Sequence, residues 1–311
     1  MPNPIPILLD GDPGHDDAMA WMLAQSSPLL EIRGVTSVCG NQTIEKTTYN
    51  AQRVMTLLGI DAPLAKGRPG PLAGAAMPAP SVHGESGLDG PILPEPAVFP
   101  VEGPACALMA WVLEESPEPV TIVPTGPLTN VASLLLTRPD LKGKIAGISM
   151  MGGGVTHGNW SPAAEFNILV DPEAADLVFR SGVPITMAGL DVTEKALVFP
   201  EDFETIRALG NPVARVVADW LEFFYGFHQK LGYAGAPVHD AVAVAALIAP
   251  ELFQMEEMYV AVETEGVYCR GATIGDRYQL SGRAPNARVI LDLDRADFVA
   301  LLTRAAAAYG G

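Results

Sequence analysis

Four aspartates fall within eight positions in "DGDPGHDD", residues 10–17: Asp10, Asp12, Asp16 and Asp17. They follow directly on the apolar run "IPILL" (5–9). Carboxylates held that close repel one another unless a positive charge sits among them. Helix capping explains one or two of them, but not four around a Pro-Gly turn. Other polar residues stand where further short apolar runs end. Thr125 and Gly126 close "VTIVPTG"; Asn159, Glu165 and Asn167 lie in "THGNWSPAAEFNI" behind "MMGGG"; His239 and Asp240 open "HDAVAVAALI". Taken alone, "HD" is a helix cap, "GGG" a tight turn and Trp160 ordinary packing. Taken together, they put acids, amides and a histidine on one rim with almost no lysine or arginine. Hard oxygen donors without cysteine or grouped histidine suit calcium or magnesium rather than zinc. Asp12, Asp17 and Asp240 offer three carboxylates, and the main-chain carbonyl of Thr125 a neutral oxygen. Calcium accepts an irregular shell of about six to eight oxygens, leaving room for water and substrate hydroxyls, and Ca²⁺ is the expected cofactor.

A shared rim requires elements that bring these strand ends together. "IPILL" (5–9), "EIRGVTSV" (31–38), "VTIVPTG" (120–126), "KIAGISMMGGG" (144–154) and "VPITMAGLDV" (183–192) are nearly all apolar, as in parallel strands covered on both faces. Helical patterns over 16–26, 43–58, 105–116, 128–137 and 172–181 alternate with them, the last opened by Asp171 as cap and Pro172 in the first turn. The fold class is therefore α/β: an open, mostly parallel, Rossmann-like sheet with helices on both faces, whose ligands sit at the carboxyl ends of the strands. A helix near 211–231, another from 240, strands 258–264 and 287–293 and a last helix over 295–309 complete the reading. No repeat or charge block divides the chain, so residues 1–311 are expected to form one domain. Residues 61–104 break the rhythm with proline and glycine, and the part around 68–104, with "VHGESGLDG" at its middle, reads as an active-site loop.

Composition removes several function classes. The 311 residues carry 19 Lys+Arg against 36 Asp+Glu, a formal charge of −17, which repels phosphate backbones and anionic lipid; neither nucleic acid nor membrane is an expected partner. Cys39, Cys106 and Cys269 are widely spaced and read as buried reduced thiols. The N-terminus lacks the basic and apolar segments of an export signal, so a cytoplasmic location is expected.

The stretches "DGDPGHDDA", "VCGN", "VPTGPLTN", "MGGG", "GNWSPAAEFNILVDPEAA" and "PVHDA", in this order from residue 5 to about 245, resemble the inosine-uridine-preferring nucleoside hydrolase family. The last quarter of the chain offers no comparable motif. The resemblance implies calcium-dependent hydrolysis of the N-glycosidic bond of ribonucleosides (inosine, uridine or other pyrimidine nucleosides) to free base and ribose. It implies Asp12, Asp17, Asp240 and the Thr125 carbonyl as calcium ligands, with Asp12 also the general base towards water. Asp16, Asn159, Glu165 and Asn167 match positions that hold the ribose hydroxyls; Asn41 lies near sugar and metal, and Met151 underneath the ribose. His239 matches a histidine that assists the departing base, His83 a residue near that base, and Asp10 supports the ligands from behind. Family members are commonly homodimers or homotetramers, so a homo-oligomer is expected.

The physical reading agrees. Cleaving the bond develops positive charge on the sugar, which an anionic cup stabilises more than it does the neutral substrate. His239, at an ordinary pKa of about 6.5, would serve as an acid at neutral pH. No phosphate-binding glycine signature is present, which argues for nucleosides over nucleotides. Two rivals are a magnesium-dependent phosphatase with an aspartyl nucleophile in "DGD", which lacks its lysine and second acidic pair, and a ribose- or nucleoside-binding protein without turnover. Aromatics in "LEFFYGFHQKLGYAGA" (221–236), namely Tyr225, Phe227, His228 and Tyr233, are candidates for contact with the base or for plain helix packing.

Overall fold

The run after Pro4 forms a strand because Ile7, Leu8 and Leu9 have apolar partners on both sides. Ile7 and Leu9 enter one buried cluster with Trp21 and Trp220, while Leu8 enters another with Ile122 and Ile148. A strand covered on both faces is the signature of a sheet between helical layers. In the computed structural model, which describes residues 3–310, the strands are β1 (Ile5–Gly11), β2 (Leu30–Ser37), β3 (Leu64–Ala65), β4 (Val120–Pro124), β5 (Ile145–Met151), β6 (Ile185–Ala188), β7 (Leu197–Val198), β8 (Ala236–Pro237), β9 (Phe253–Val262), β10 (Thr273–Asp276) and β11 (Ala287–Leu293). Residues 1, 2 and 311 of the expected 1–311 unit lie outside the described residues. Nine strands form one sheet in the order β10-β9-β11-β6-β5-β4-β1-β2-β3, and β7 pairs with β8 apart from it. Within that sheet β9 pairs antiparallel with β10 and β11, and the other described pairings are parallel. The α/β fold expected from the sequence is the one observed.

Departures have local causes. The strand expected to reach residue 154 stops at Met151, because Gly152 and Gly153 take φ of 155° and 77°, which ends the ladder. The strand expected over 183–192 covers only Ile185–Ala188, and Leu190–Thr193 turns into a helix. Asp191 there accepts the Val155 and Thr156 amides at 2.7 and 3.1 Å, so the chain is drawn off the sheet towards the loop behind β5. β9 starts at Phe253, well before 258, because an antiparallel strand tolerates the exposed Gln254 and Glu257 and the half-buried Glu256 of its first half. β3, β10, the β7–β8 pair and a helix over Pro200–Arg207 went unread, and within 61–104 β3 and a turn of helix at Pro80–His83 interrupt irregular chain. The cap at 171 stands as read: Asp171 accepts the Ala174 amide at 3.1 Å ahead of Pro172.

The helix His15–Ser26 buries every residue from His15 to Ala24, so it has no wet face to show. It is clasped by helices His239–Ile248 and Arg295–Ala307. Its first turn thereby delivers Asp16 and Asp17 into the interior beside Asp240, the second residue of its neighbour.

Candidate active site

The carboxyl ends of β1, β4 and β5 form the floor of a cavity. Asp12, one residue past β1, is 1% exposed. Its Oδ2 accepts the Asn41 amide at 2.6 Å, while its buried Oδ1 has no partner. Gly40 and Gly126 flank it so closely that a Cβ on either would overlap the carboxylate, which is why both positions must lack a side chain. Asp17 accepts the Gly14 amide at 2.9 Å and the Thr125 hydroxyl at 2.6 Å. Asp10 turns away, taking the Thr36 hydroxyl at 2.7 Å and the Asn130 amide at 2.8 Å on Oδ1. It does not line the cavity and sits behind the ligand candidates.

Oxygens of Asp16, Asp17 and Asp240 lie within 4.8 Å of one another, all three buried. The tightest acidic group thus includes Asp16 beside the expected Asp17 and Asp240, with Asp12 adjoining. Burial, then mutual repulsion, raises these acids: Asp16 to about 8, and Asp12 and Asp240 well above the usual range. Burial alone dominates for Asp17. A group of acids this costly to ionise, with an orphaned oxygen on Asp12, matches what a divalent cation requires. The Thr125 carbonyl accepts the Asn167 side-chain amide at 2.8 Å and keeps its second lone pair.

Above this floor the cavity wall carries Asp16, Asn41, His83, Thr125 and Met151. Asn159, Glu165, Asn167, His239 and Asp240 complete the set expected to meet substrate. Glu165 caps the helix Phe166–Val170, accepting the amides of Gly153, Asn167 and Ile168 at 2.8, 2.9 and 3.2 Å; burial raises it to about 7. Asn159 accepts the Phe166 amide at 3.0 Å and keeps its own NH₂ free of protein partners.

The imidazoles depart from their ordinary behaviour. His239 does not keep the pKa of about 6.5 assumed for an acid: burial, then His228, lowers it to about 3, so the ring is neutral at pH 7. It offers a hydrogen bond rather than a stored proton, with Nδ1 2.8 Å from the Thr193 hydroxyl. His83 is likewise held well below its usual value by burial. It stacks on His15, ring centroids 5.3 Å apart, with the two Nδ1 atoms at 3.0 Å. His15 Nε2 lies 2.8 Å from the Asp89 carbonyl, which only accepts, so that nitrogen carries the proton. His83 Nδ1 also accepts the His15 main-chain amide at 3.3 Å, so both the ring and the backbone of His15 hold it in place.

His15 went unread, as did Glu194 and Phe224, which line the cavity; so does Trp160, read as packing. Glu194 follows β6 closely, and strand-end position was the signal that could have found it. Of the four aromatics left open, Phe227, His228 and Tyr233 line the cavity, whereas Tyr225 packs edge-on against Phe203 at 5.9 Å. The roof, Ala79 to His83, is tied to the floor because the Ala79 amide donates to the Asn41 carbonyl at 3.1 Å.

The profile of the inosine-uridine preferring nucleoside hydrolase family matches residues 7–300. The chain belongs to this family. It is 56% identical over 301 residues to the pyrimidine-specific ribonucleoside hydrolase RihA of Escherichia coli O127:H6 (strain E2348/69 / EPEC), covering 96% of this chain and 97% of the relative. A purine-preferring ribonucleoside hydrolase from Gardnerella vaginalis has the same fold at a TM-score of 0.92, with 30% identity over 98% of this chain and 99% of that one. A plant nucleoside hydrolase follows at a TM-score of 0.90 and 29% identity, covering 97% and 99%. As a nucleoside hydrolase, the protein is a glycosidase that cleaves ribonucleosides at the N-glycosidic bond. Its acidic cluster is able to hold a metal ion. Among the described residues no helix is long and apolar enough to cross a membrane.

Proposed function

We propose that this nucleoside hydrolase cleaves pyrimidine ribonucleosides with the help of one Ca²⁺ held by Asp12, Asp17, Asp240 and the Thr125 carbonyl, with Asp16 beside it. The single observation that carries this is the buried acidic cluster at the floor of a cavity walled by amides, Glu165 and aromatic rings. The similarity to a relative described as pyrimidine-specific supports the base class. The chain is read as one catalytic unit, cytoplasmic, assembling as a homodimer or homotetramer.

When bound, the cation makes a water more acidic and engages the vicinal ribose hydroxyls. The protein's own groups do the rest. Asp12 takes the proton of the attacking water through Oδ1, the oxygen that no protein donor occupies. Asp16, Asn159, Glu165 and Asn167 hold the ribose hydroxyls, Asn41 lies close to sugar and metal, and Met151 packs beneath the ring. As C1′ becomes cationic, the surrounding carboxylates stabilise it more than the neutral sugar. His239 and His83, both neutral, hydrogen-bond the departing base instead of protonating it from a charged store. A 2′-deoxyribonucleoside leaves buried acceptors unpaired and is a poor substrate.

The test is release of free ribose from uridine, cytidine, inosine and adenosine, before and after exhaustive chelation. Ribose from uridine or cytidine that disappears on chelation and returns with Ca²⁺ is expected. Tight binding without ribose would establish a binding protein, and activity indifferent to chelation would end the cation assignment.

A further inference from the structure

Two side chains of the cavity wall, Glu194 and Tyr233, form with His157 outside it a network that the reaction above leaves unused. The Tyr233 hydroxyl donates to Glu194 Oε1 at 2.7 Å, and His157 Nε2 lies 2.9 Å from Glu194 Oε2. His157 is itself steadied by the Thr156 hydroxyl, 2.8 Å from its Nδ1 and 2.7 Å from Asp191 Oδ1. Glu194 and Tyr233 both line the cavity, and the Glu194 side chain is 24% exposed.

An ionised carboxylate accepts and never donates. The one proton of the Tyr233 phenol is therefore committed to Glu194, and its oxygen can show the cavity only lone pairs. His228 arrives at the same polarity by another route. Its Nδ1 stands 3.0 Å from the Phe224 main-chain carbonyl, so the proton of the neutral ring is on Nδ1 and Nε2 is an acceptor. Burial keeps that ring neutral, below its ordinary pKa. The two rings meet edge-on, centroids 5.4 Å apart.

We propose that Glu194 is a positioning residue: by holding the proton of Tyr233 it makes the base end of the cavity, with His228, a surface of acceptors that selects bases carrying an N–H or amino group on the edge away from the sugar. The inference rests on the nucleoside reading above and names its substrate class. Uridine offers N3–H and cytidine its N4 amino group; 3-methyluridine has lost the N–H of that edge and leaves the acceptors unpaired.

The test compares uridine with 3-methyluridine by kcat/KM and, in parallel, by Kd from calorimetry, for the parent, Tyr233→Phe and Glu194→Ala. The parent should favour uridine by about ten- to a hundredfold. Tyr233→Phe removes an acceptor and Glu194→Ala frees the phenol to donate, so each should bring the ratio within about threefold, whatever loss both substrates share. A loss of packing alone would not move that ratio. A ratio unchanged in both variants means that shape excludes the methyl group, and the inference falls. A ratio that collapses in Tyr233→Phe but not in Glu194→Ala removes Glu194 from the account. Absence of ribose with every nucleoside would overturn the hydrolase reading, while the Kd ratio would still decide this one.

Discussion

The Asn167 side-chain amide donates to the Thr125 main-chain carbonyl at 2.8 Å, joining the end of β4 to the helix Phe166–Val170. The same amide lies 3.3 Å from the Met151 carbonyl at the end of β5. A residue assigned to the sugar therefore also fixes the carbonyl assigned to the cation. Asn167→Ala should weaken Ca²⁺ binding as well as raise KM for uridine, by roughly tenfold each. Titration of the variant with Ca²⁺ by calorimetry measures the first effect independently of turnover; a normal Kd there would uncouple the two roles.

Asp12→Asn keeps the shape and removes the base proposed above. Loss of such a group costs roughly 10²–10⁴ in rate. kcat for uridine should fall by at least about a hundredfold, and in the chelated state, where no ion distinguishes the two proteins, the melting temperature should stay within a few degrees of the parent's. Activity within tenfold of the parent would mean that another group accepts the proton.

Gly126→Ala tests the same carboxylate without touching it. The new methyl group overlaps Asp12 Oδ1 and also crowds Val38. Displacement of a reacting group by about 1 Å can cost roughly a hundredfold. Circular dichroism should show a folded protein, and ribose release should drop by about that factor. Full activity would show that the Asp12 carboxylate has room to move.

Glu165 sets a pH dependence. Burial raises its folded-state pKa from the ordinary carboxylate range to about 7. A raised value means that its contribution to stability is complete below the unfolded pKa of about 4.3 and is lost as pH climbs through 7. Hydroxyl recognition has the opposite sign, because the ionised form is the better acceptor. KM for uridine should fall several-fold between about pH 6 and pH 8, and Glu165→Gln should flatten that change. A KM profile unchanged by the substitution would exclude Glu165 as its source.

Cation binding should appear in stability. A ligand at a hundredfold excess over its Kd adds about 2.7 kcal/mol. Scanning calorimetry of the chelated protein should show the melting temperature rising on addition of Ca²⁺, and Asp240→Asn should abolish most of the increment. An increment equal to that of the parent would place the ion elsewhere.

The floor of the site was legible because its chemistry is local. Asp12, Asp16 and Asp17 sit within one turn of chain behind an apolar strand, and the glycines that make room for them are close neighbours of other strand ends. The wall was less legible. Glu194 meets Tyr233 across 39 positions and His157 across 37, with no spacing that signals either contact. The His15–His83 stack spans 68 positions and passes for part of the aspartate motif. The ordinary pKa given to His239 failed for a related reason, since burial is a property of the packed molecule and not of "VHD". β9 was cut short because Gln254, Glu256 and Glu257 break the apolar run that marks the other strands.

Asn41 joins two jobs that the protein might have kept apart. Its amide grips Asp12, its side chain reaches the Asp12 carbonyl at 3.2 Å, and its own carbonyl holds Ala79. On the proposed cation site, an ion among the aspartates would be linked through Asn41 to the ceiling over the sugar, and any coupling it exerts on a nucleoside there would be returned by the same factor. A chelated preparation should then show a slacker doorway as well as lost turnover.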